Sequence, residues 1–265
     1  GGGGGGGGGG PPGGPSRGGG GRAGGGRRAG GGRGGGVWLS EDFGASWREA
    51  PVLPPGRRQF FRAVASSADG AVLLAVAELG GLWVSQDFGA SWRANPGAPQ
   101  LDWTAATVSA DGARLAAAAS RGRVWTSTDT GASWREDGEA APPPPDAGGE
   151  EAPRLAPVPY AQFWRGLAAS ADGKRLLAAS AGDLDLGTNG GGLLWVSGDA
   201  GGSWAALEPL GPRHSALWRG VASSASGDRL LAAAAGGELW ASRDAGRTWL
   251  PAGSPELLEI GRAHV

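Results

Sequence analysis

Ser127-Thr128-Asp129-Thr130-Gly131-Ala132-Ser133-Trp134 is one of five copies of a single pattern, Ser-x-Asp-x-Gly-x-Ser/Thr-Trp. The others run Ser40–Trp47, Ser85–Trp92, Ser197–Trp204 and Ser242–Trp249. A second Trp stands nine residues before the last one in every copy: Trp38, Trp83, Trp125, Trp195 and Trp240. The boxed aspartates Asp42, Asp87, Asp129, Asp199 and Asp244 are spaced 45, 42, 70 and 45 residues apart. A period in the forties, built from short strand-like segments, is the spacing of propeller blades.

Each unit carries a second signal upstream of its box. The segments open at Phe61, Trp103, Trp164 and Trp218 and close on Ser-Ala-Asp-Gly70, Ser-Ala-Asp-Gly112, Ser-Ala-Asp-Gly173 and Ser-Ala-Ser-Gly227. A Leu/Ala run follows, then a glycine, then the Leu/Val-Trp-x-Ser strand entering the box. This predicts four strands per unit, A to D, with turns between them. The runs Leu115–Ala119 and Leu231–Ala235 favour helix by propensity, but five residues bounded by turns are too short for one. They are read as strands whose small side chains suit a crowded interior.

Within the box each residue type has a mechanical role. Aspartate in a tight turn accepts backbone N–H bonds and holds the loop closed. Glycine takes the positive φ, and the Ser/Thr hydroxyl adds a bond. Trp47, Trp92, Trp134, Trp204 and Trp249 supply apolar bulk, each indole N–H finding a partner. All 13 Trp of the chain fall on box or strand positions, so none is left for a stacking platform.

The boxes resemble the Asp-box, or BNR repeat, of sialidase-like propellers, over residues 37–250. The repeat occurs in sialidases, sortilin-type receptors, some glucan-cleaving glycosidases and a photosystem II assembly factor family. The resemblance implies a β-propeller in which the box is a structural hairpin remote from any catalytic site, and it carries little about function. A sialidase would require an Arg-Ile-Pro type motif with an Arg triad and a Tyr–Glu pair. The chain has no Arg-Ile-Pro, and its single Tyr, Tyr160, lies in a Pro-rich stretch. Another glycosidase needs two positioned carboxylates, and no pair is singled out. The reading is therefore an all-β propeller with four-stranded blades: about four and a half blades of a six- or seven-bladed ring. Its function is read as non-catalytic binding or scaffolding, with a photosystem II assembly factor-like protein and a glycoside hydrolase fragment as alternatives.

Composition bounds the rest. Of 56 Gly, 25 fall in residues 1–36, with five Arg and no acid. That leader cannot bury a core and is read as disordered. It resembles RGG-type RNA-binding tracts. Arg outnumbers Lys 23 to 1 across the chain, however, a bias that GC-rich coding produces without function. The remainder, with 19 basic and 25 acidic residues, has no basic footprint for nucleic acid. There is no Cys, hence no disulfide or thiolate metal site. No apolar run approaches the roughly 20 residues that span a bilayer. No cofactor is implied, and the ligand class is protein or glycan, bound by a monomer once the ring is complete. Neither end is expected to be natural. The chain has no Met, and residues 260–265 match the translation of a common sequencing adapter, so the propeller is placed at 37–259.

Function is expected on one face. The A–B turn and boxed C–D turn lie together, and the B–C and D–A loops lie opposite. Two insertions exceed the repeat, at 135–162 in a D–A loop and 183–192 in a B–C loop, both on that second face. Asp183, Asp185 and Asn189 superficially suggest a calcium loop, but Gly187 stands at a ligand position and Leu194 replaces the closing Glu. A solvated loop is the reading kept, with no metal. Arg62, Arg165 and Arg219 share one position at the start of strand A, where the third unit has Thr104. They are the candidate anion-binding rim; the alternative is an arginine retained to pair with a neighbouring blade.

Overall fold

A computed structural model describes residues 28–31, 36–51, 59–95, 97–137, 163–181, 192–207 and 216–253. All the regular structure among them is β. Blade I contains β1 (Arg28–Gly31), β2 (Val37–Ser40) and β3 (Arg48–Glu49). Blade II contains β4 (Phe60–Ser66), β5 (Leu73–Glu78), β6 (Leu82–Ser85) and β7 (Arg93–Ala94). Blade III contains β8 (Trp103–Val108), β9 (Leu115–Ala119), β10 (Val124–Ser127) and β11 (Arg135–Glu136). Blade IV contains β12 (Trp164–Ala169), β13 (Leu176–Ser180), β14 (Leu194–Ser197) and β15 (Ala205–Leu207). Blade V contains β16 (Trp218–Ser223), β17 (Leu230–Ala234), β18 (Leu239–Ser242) and β19 (Leu250–Pro251). Strands pair antiparallel in chain order, so each of blades II to V is a meander from A to D.

The Leu/Ala runs are strands, and their burial explains the composition. Every residue of Leu115–Ala119 is buried. Alanine is selected because B strands lie between two neighbouring sheets, where a longer side chain would hold the blades apart.

Each blade interface is a knob seated in a hollow. The aromatic that opens one strand A packs on strands B and C of the blade before it. Trp103 sits with Leu74, Val76 and Leu82, Trp164 with Ala116, Ala118 and Val124, and Trp218 with Leu177, Ala179 and Leu194. Trp103, Trp164 and Trp218 are among the largest fully buried side chains, each removing some 150–250 Å² from water.

A backbone ladder links the A–B turns around the arc. Ala68 N–H donates to the Ala110 carbonyl at 2.9 Å, Ala110 to Ala171 at 2.7 Å, and Ala171 to Ala225 at 2.8 Å. Backbone bonds need no particular side chain, so the ladder survives sequence drift between units.

Two boundaries differ from the sequence reading. Residues 28–31, inside the leader, pair with β2 from Arg28↔Ser40 to Gly31↔Val37. Blade I thus has strands B, C and D rather than C and D alone. The edge of β2 offers backbone groups for that pairing. The 135–162 insertion begins later than its sequence boundaries, because Arg135–Glu136 forms strand D of blade III. Residues 138–162, 182–191 and 254–265 lie outside the described residues, and with them Tyr160, the Asp183–Asn189 stretch and the terminal hexapeptide.

Candidate functional site

The five boxes are built alike and belong to the A–B/C–D face. In blade III, Ser127 Oγ donates to Asp129 Oδ1 at 2.8 Å, and the Gly131 N–H donates to Ser127 Oγ at 2.8 Å. The Ser133 N–H and hydroxyl donate to the two Asp129 oxygens at 2.8 and 2.6 Å. Asp42, Asp87, Asp199 and Asp244 repeat this scheme. The Ser133 hydroxyl, then its backbone N–H, holds the Asp129 carboxyl down at about 2; the Ser46 hydroxyl does the same for Asp42, also to about 2. Both oxygens of each box carboxylate accept bonds that close its own hairpin, which leaves these carboxylates unsuited to general acid–base work.

The turn is tighter than one glycine explains. Thr130 and Gly131 are both left-handed, with φ of 57° and 77°, as are Phe43 and Gly44 at 60° and 93°. A non-glycine residue there is strained, and the carboxylate bonds offset that strain. The indole expectation holds only in part. Trp47, Trp92 and Trp249 donate to their own box glycine carbonyl at 3.2, 3.3 and 3.1 Å. Trp103, Trp125, Trp134 and Trp195 bury Nε1 with no hydrogen-bond partner among the described residues.

On the opposite face, Arg62, Arg165 and Arg219 are the extra residues of a β-bulge repeated in every strand A. Register runs Phe61↔Ala77 then Ala63↔Val76, Trp164↔Ser180 then Gly166↔Ala179, and Trp218↔Ala234 then Gly220↔Ala233. Thr104 fills the same slot in blade III, where its hydroxyl donates to the Ala118 carbonyl at 3.2 Å. A bulge re-aims the side chain it carries. Here the aromatic before it turns inward to the blade interface while the bulged arginine stays exposed.

The three arginines differ in their partners. Arg62 forms an ion pair with Glu78 of its own blade, which places both at the B–C/D–A end. Neither Arg165 nor Arg219 has an acidic partner within salt-bridge reach among the described residues. Among the described residues, no arginine of the set pairs with an acid of a neighbouring blade.

A feature missed in the sequence accompanies them. The residue before each knob is apolar wherever the bulge is arginine: Phe60, Phe163 and Leu217, against Asp102 in blade III beside Thr104. Phe60 is 60% exposed and Leu217 44%, and Leu79 of the adjoining B–C turn is 79% exposed. Arg121, in the next B–C turn, stacks over Phe163 at 5.2 Å. The face therefore alternates cationic and apolar groups. Repetition of the residue pair Phe60/Arg62, Phe163/Arg165, Leu217/Arg219 is the signal that could have found it.

One buried carboxyl lies elsewhere. Asp137 follows β11 and is 3% exposed. Thr126 Oγ1 donates to its Oδ1 at 2.9 Å, and Trp204 Nε1 to its Oδ2 at 3.4 Å. Burial pushes its pKa up to about 8, against the opposing pull of Thr126, Arg135 and Trp204. It is a structural group at the seam of blades III and IV. Among the described residues no cluster of three or more His, Cys, Asp or Glu is placed to hold a metal ion, and no helix is long and apolar enough to cross a membrane.

No family model matches the chain, and neither does any curated protein. Solved structures do. The chain is similar to the GH74 xyloglucanase from Xanthomonas campestris, with a TM-score of 0.57 and 21% identity over 83% of this chain and 36% of that one. It is similar to YCF48 bound to D1 peptide, with a TM-score of 0.52 and 18% identity over 81% of this chain and 60% of that one. A chain of the nidogen/laminin complex matches at a TM-score of 0.54 and 14% identity, over 81% and 70%. At these identities the likeness establishes the fold, a partial β-propeller with four-stranded blades. The chain spans about a third of the length of the xyloglucanase.

Proposed function

We propose that this chain is a non-catalytic binding propeller of Asp-box (BNR) repeats whose working face is the B–C/D–A face. The observation that carries the reading is the bulged arginine of strand A, present in three of four blades and exposed in each. A bulge spends a ladder position to aim one side chain, and guanidinium groups are suited to bidentate recognition of carboxylate or other oxyanions. The exposed Phe60 and Leu217 beside them fit a ligand with both acidic and apolar groups, such as a peptide. The similar structures of YCF48 bound to D1 peptide and of the nidogen/laminin complex support binding as a use of this fold. The photosystem II assembly factor-like alternative is this same reading with a particular client.

The test uses poly-L-glutamate as probe. The full chain should bind it in a salt-sensitive manner. Changing Arg62, Arg165 and Arg219 together to Gln should weaken binding at least tenfold while leaving the urea midpoint unchanged. Equal binding by the two proteins would end the rim assignment.

A second reading, a portion of a glycoside hydrolase with its catalytic carboxylates on other blades, is favoured by the likeness to the GH74 xyloglucanase. Binding of xyloglucan but not of poly-L-glutamate by the chain would favour it. Binding of poly-L-glutamate without binding of xyloglucan supports the leading reading.

A further inference from the structure

The seam between blades IV and V sets arginine beside arginine. Strands β12 and β16, the A strands of these blades, lie side by side. Both open on Trp-Arg-Gly, at Trp164-Arg165-Gly166 and Trp218-Arg219-Gly220. Blade II reads Phe61-Arg62-Ala63 and blade III Trp103-Thr104-Ala105, so at the other seams between these A strands an arginine faces only Thr104.

The two glycine-bearing backbones are in contact. A Cβ on Gly166 would stand 3.2 Å from the Val221 nitrogen and 3.3 Å from the Gly220 Cα, closer than side chains normally approach. The bulge falls at the same place in both strands. Arg165 and Arg219 therefore each leave the backbone one residue before that contact. Both are exposed, and their bulges aim them from the same end of the seam.

This pair carries charge without compensation. Glu78 pairs with Arg62, but neither Arg165 nor Arg219 has an acid within salt-bridge reach among the described residues. Arg121, stacked over Phe163 at 5.2 Å, adds a guanidinium two residues' length from Arg165. Guanidinium groups held side by side repel, and an oxyanion seated between them reverses the sign of the interaction. Each offers parallel N–H donors for bidentate bonding. A carboxylate brings one charge and two oxygens. A phosphoryl group brings about −1.5 to −2 at neutral pH and three acceptor oxygens. It balances both arginines and occupies more of their donors.

We infer that Arg165 and Arg219 form one clamp for a single phosphoryl group, and that Arg62 stands outside it. The inference rests on the B–C/D–A face being the working face, and it names the group that face selects. The exposed Leu217, two residues before Arg219, offers an apolar contact to a peptide carrying the phosphoryl group.

The experiment is isothermal titration calorimetry of the full chain at low ionic strength. The probes are the acetylated and amidated peptide Gly-Leu-phosphoserine-Leu-Gly, its counterpart with Glu for phosphoserine, inorganic phosphate, and poly-L-glutamate. The phosphopeptide should bind at one site per chain and at least tenfold more tightly than the Glu peptide. Arg165→Gln and Arg219→Gln should each weaken it at least tenfold with the urea midpoint unchanged, whereas Arg62→Gln should stay within twofold of the parent. A phosphopeptide that outbinds inorganic phosphate supports the clamp with a peptide as carrier; equal affinity supports the clamp with the free ion as ligand. Two sites per chain, one lost in each single variant while the other keeps its affinity, would overturn the clamp. So would equal affinity for the two peptides. Poly-L-glutamate binding that needs the three arginines, without phosphopeptide binding, would overturn the clamp and leave the working face standing; failure of both ligands to bind would overturn both.

Discussion

Replacing Asp137 with Asn should make the protein more stable at alkaline pH, by an amount the seam geometry sets. The carboxyl lies between blades III and IV, facing Thr126 of β10, Arg135 of β11, and Trp204 and Asp199 of the blade IV box. Burial raises its pKa from an ordinary 3.8 to about 8. Below pH 4 it is protonated in both folded and unfolded chains, and its contribution is fully present. Between about pH 4 and 8 the unfolded chain ionises while the folded one holds its proton, so stability falls as pH rises, by about 1.36 kcal/mol per unit. Above about pH 8 both states are ionised and the slope vanishes. The accumulated loss is roughly 5 kcal/mol, comparable with the whole stability of many domains. An amide removes this dependence, and the fold already accepts one there. Asn95, the equivalent residue in blade II, donates from Nδ2 to the box carbonyl of Gly131, and its backbone N–H bonds the Leu82 carbonyl at 2.8 Å, as that of Asp137 bonds Val124 at 2.8 Å. The assay is urea unfolding followed by tryptophan fluorescence at pH 4.5, 7 and 9. Asp137→Asn should match the parent within about 1 kcal/mol at pH 4.5 and exceed it by about 3–5 kcal/mol at pH 9. Parallel pH profiles for the two proteins, or a less stable Asn variant at pH 9, would refute the reasoning.

Two further substitutions probe the box. Asp129→Ala removes the acceptor of three hydrogen bonds at 2.6–2.8 Å in an exposed hairpin, and should cost about 1–2 kcal/mol at pH 7. Because hydrogen bonding holds that carboxyl at about 2, its contribution is present above the ordinary aspartate range and is lost as pH falls toward 2, so parent and variant should converge in acid unfolding curves. Gly201→Ala and Gly44→Ala place a Cβ at similar backbone angles, φ 85° and 93°, but in different company. On Gly201 the Cβ collides with the Asp137 carboxyl, whereas on Gly44 its nearest neighbour is Trp47 at 3.7 Å. Gly44→Ala should cost about 1–2 kcal/mol from backbone strain and Gly201→Ala clearly more; equal midpoints in urea would show that the seam yields freely.

What could be read from the chain follows from what repeats. The box needs Asp to accept, Gly to turn and Trp to fill at fixed offsets, so five copies declare both the hairpin and the blade period. The A–B turn is equally visible, even at Ser226, where a hydroxyl 3.2 Å from Ser224 Oγ replaces the carboxylate. The arginine position was visible as a column, but its bulge was not, because a register slip exists only relative to strand B. The apolar partners Phe60, Phe163 and Leu217 looked like ordinary strand starts, and only their exposure distinguishes them from the buried knobs that follow. Asp137 gave no signal, since its equivalents are Ala50, Asn95, Leu207 and Ala252, and its burial depends on a box that arrives 60 residues later. β1 lies in a Gly/Arg tract without periodicity, so no pattern in the sequence marks it as a strand.

Hydrogen exchange of the full chain with and without poly-L-glutamate distinguishes the two faces. The account predicts added protection at the starts of β4, β12 and β16, around Arg62, Arg165 and Arg219, with the five boxed hairpins unchanged. Protection centred on the boxes, or a response at the strand starts that persists when all three arginines are Gln, would contradict it.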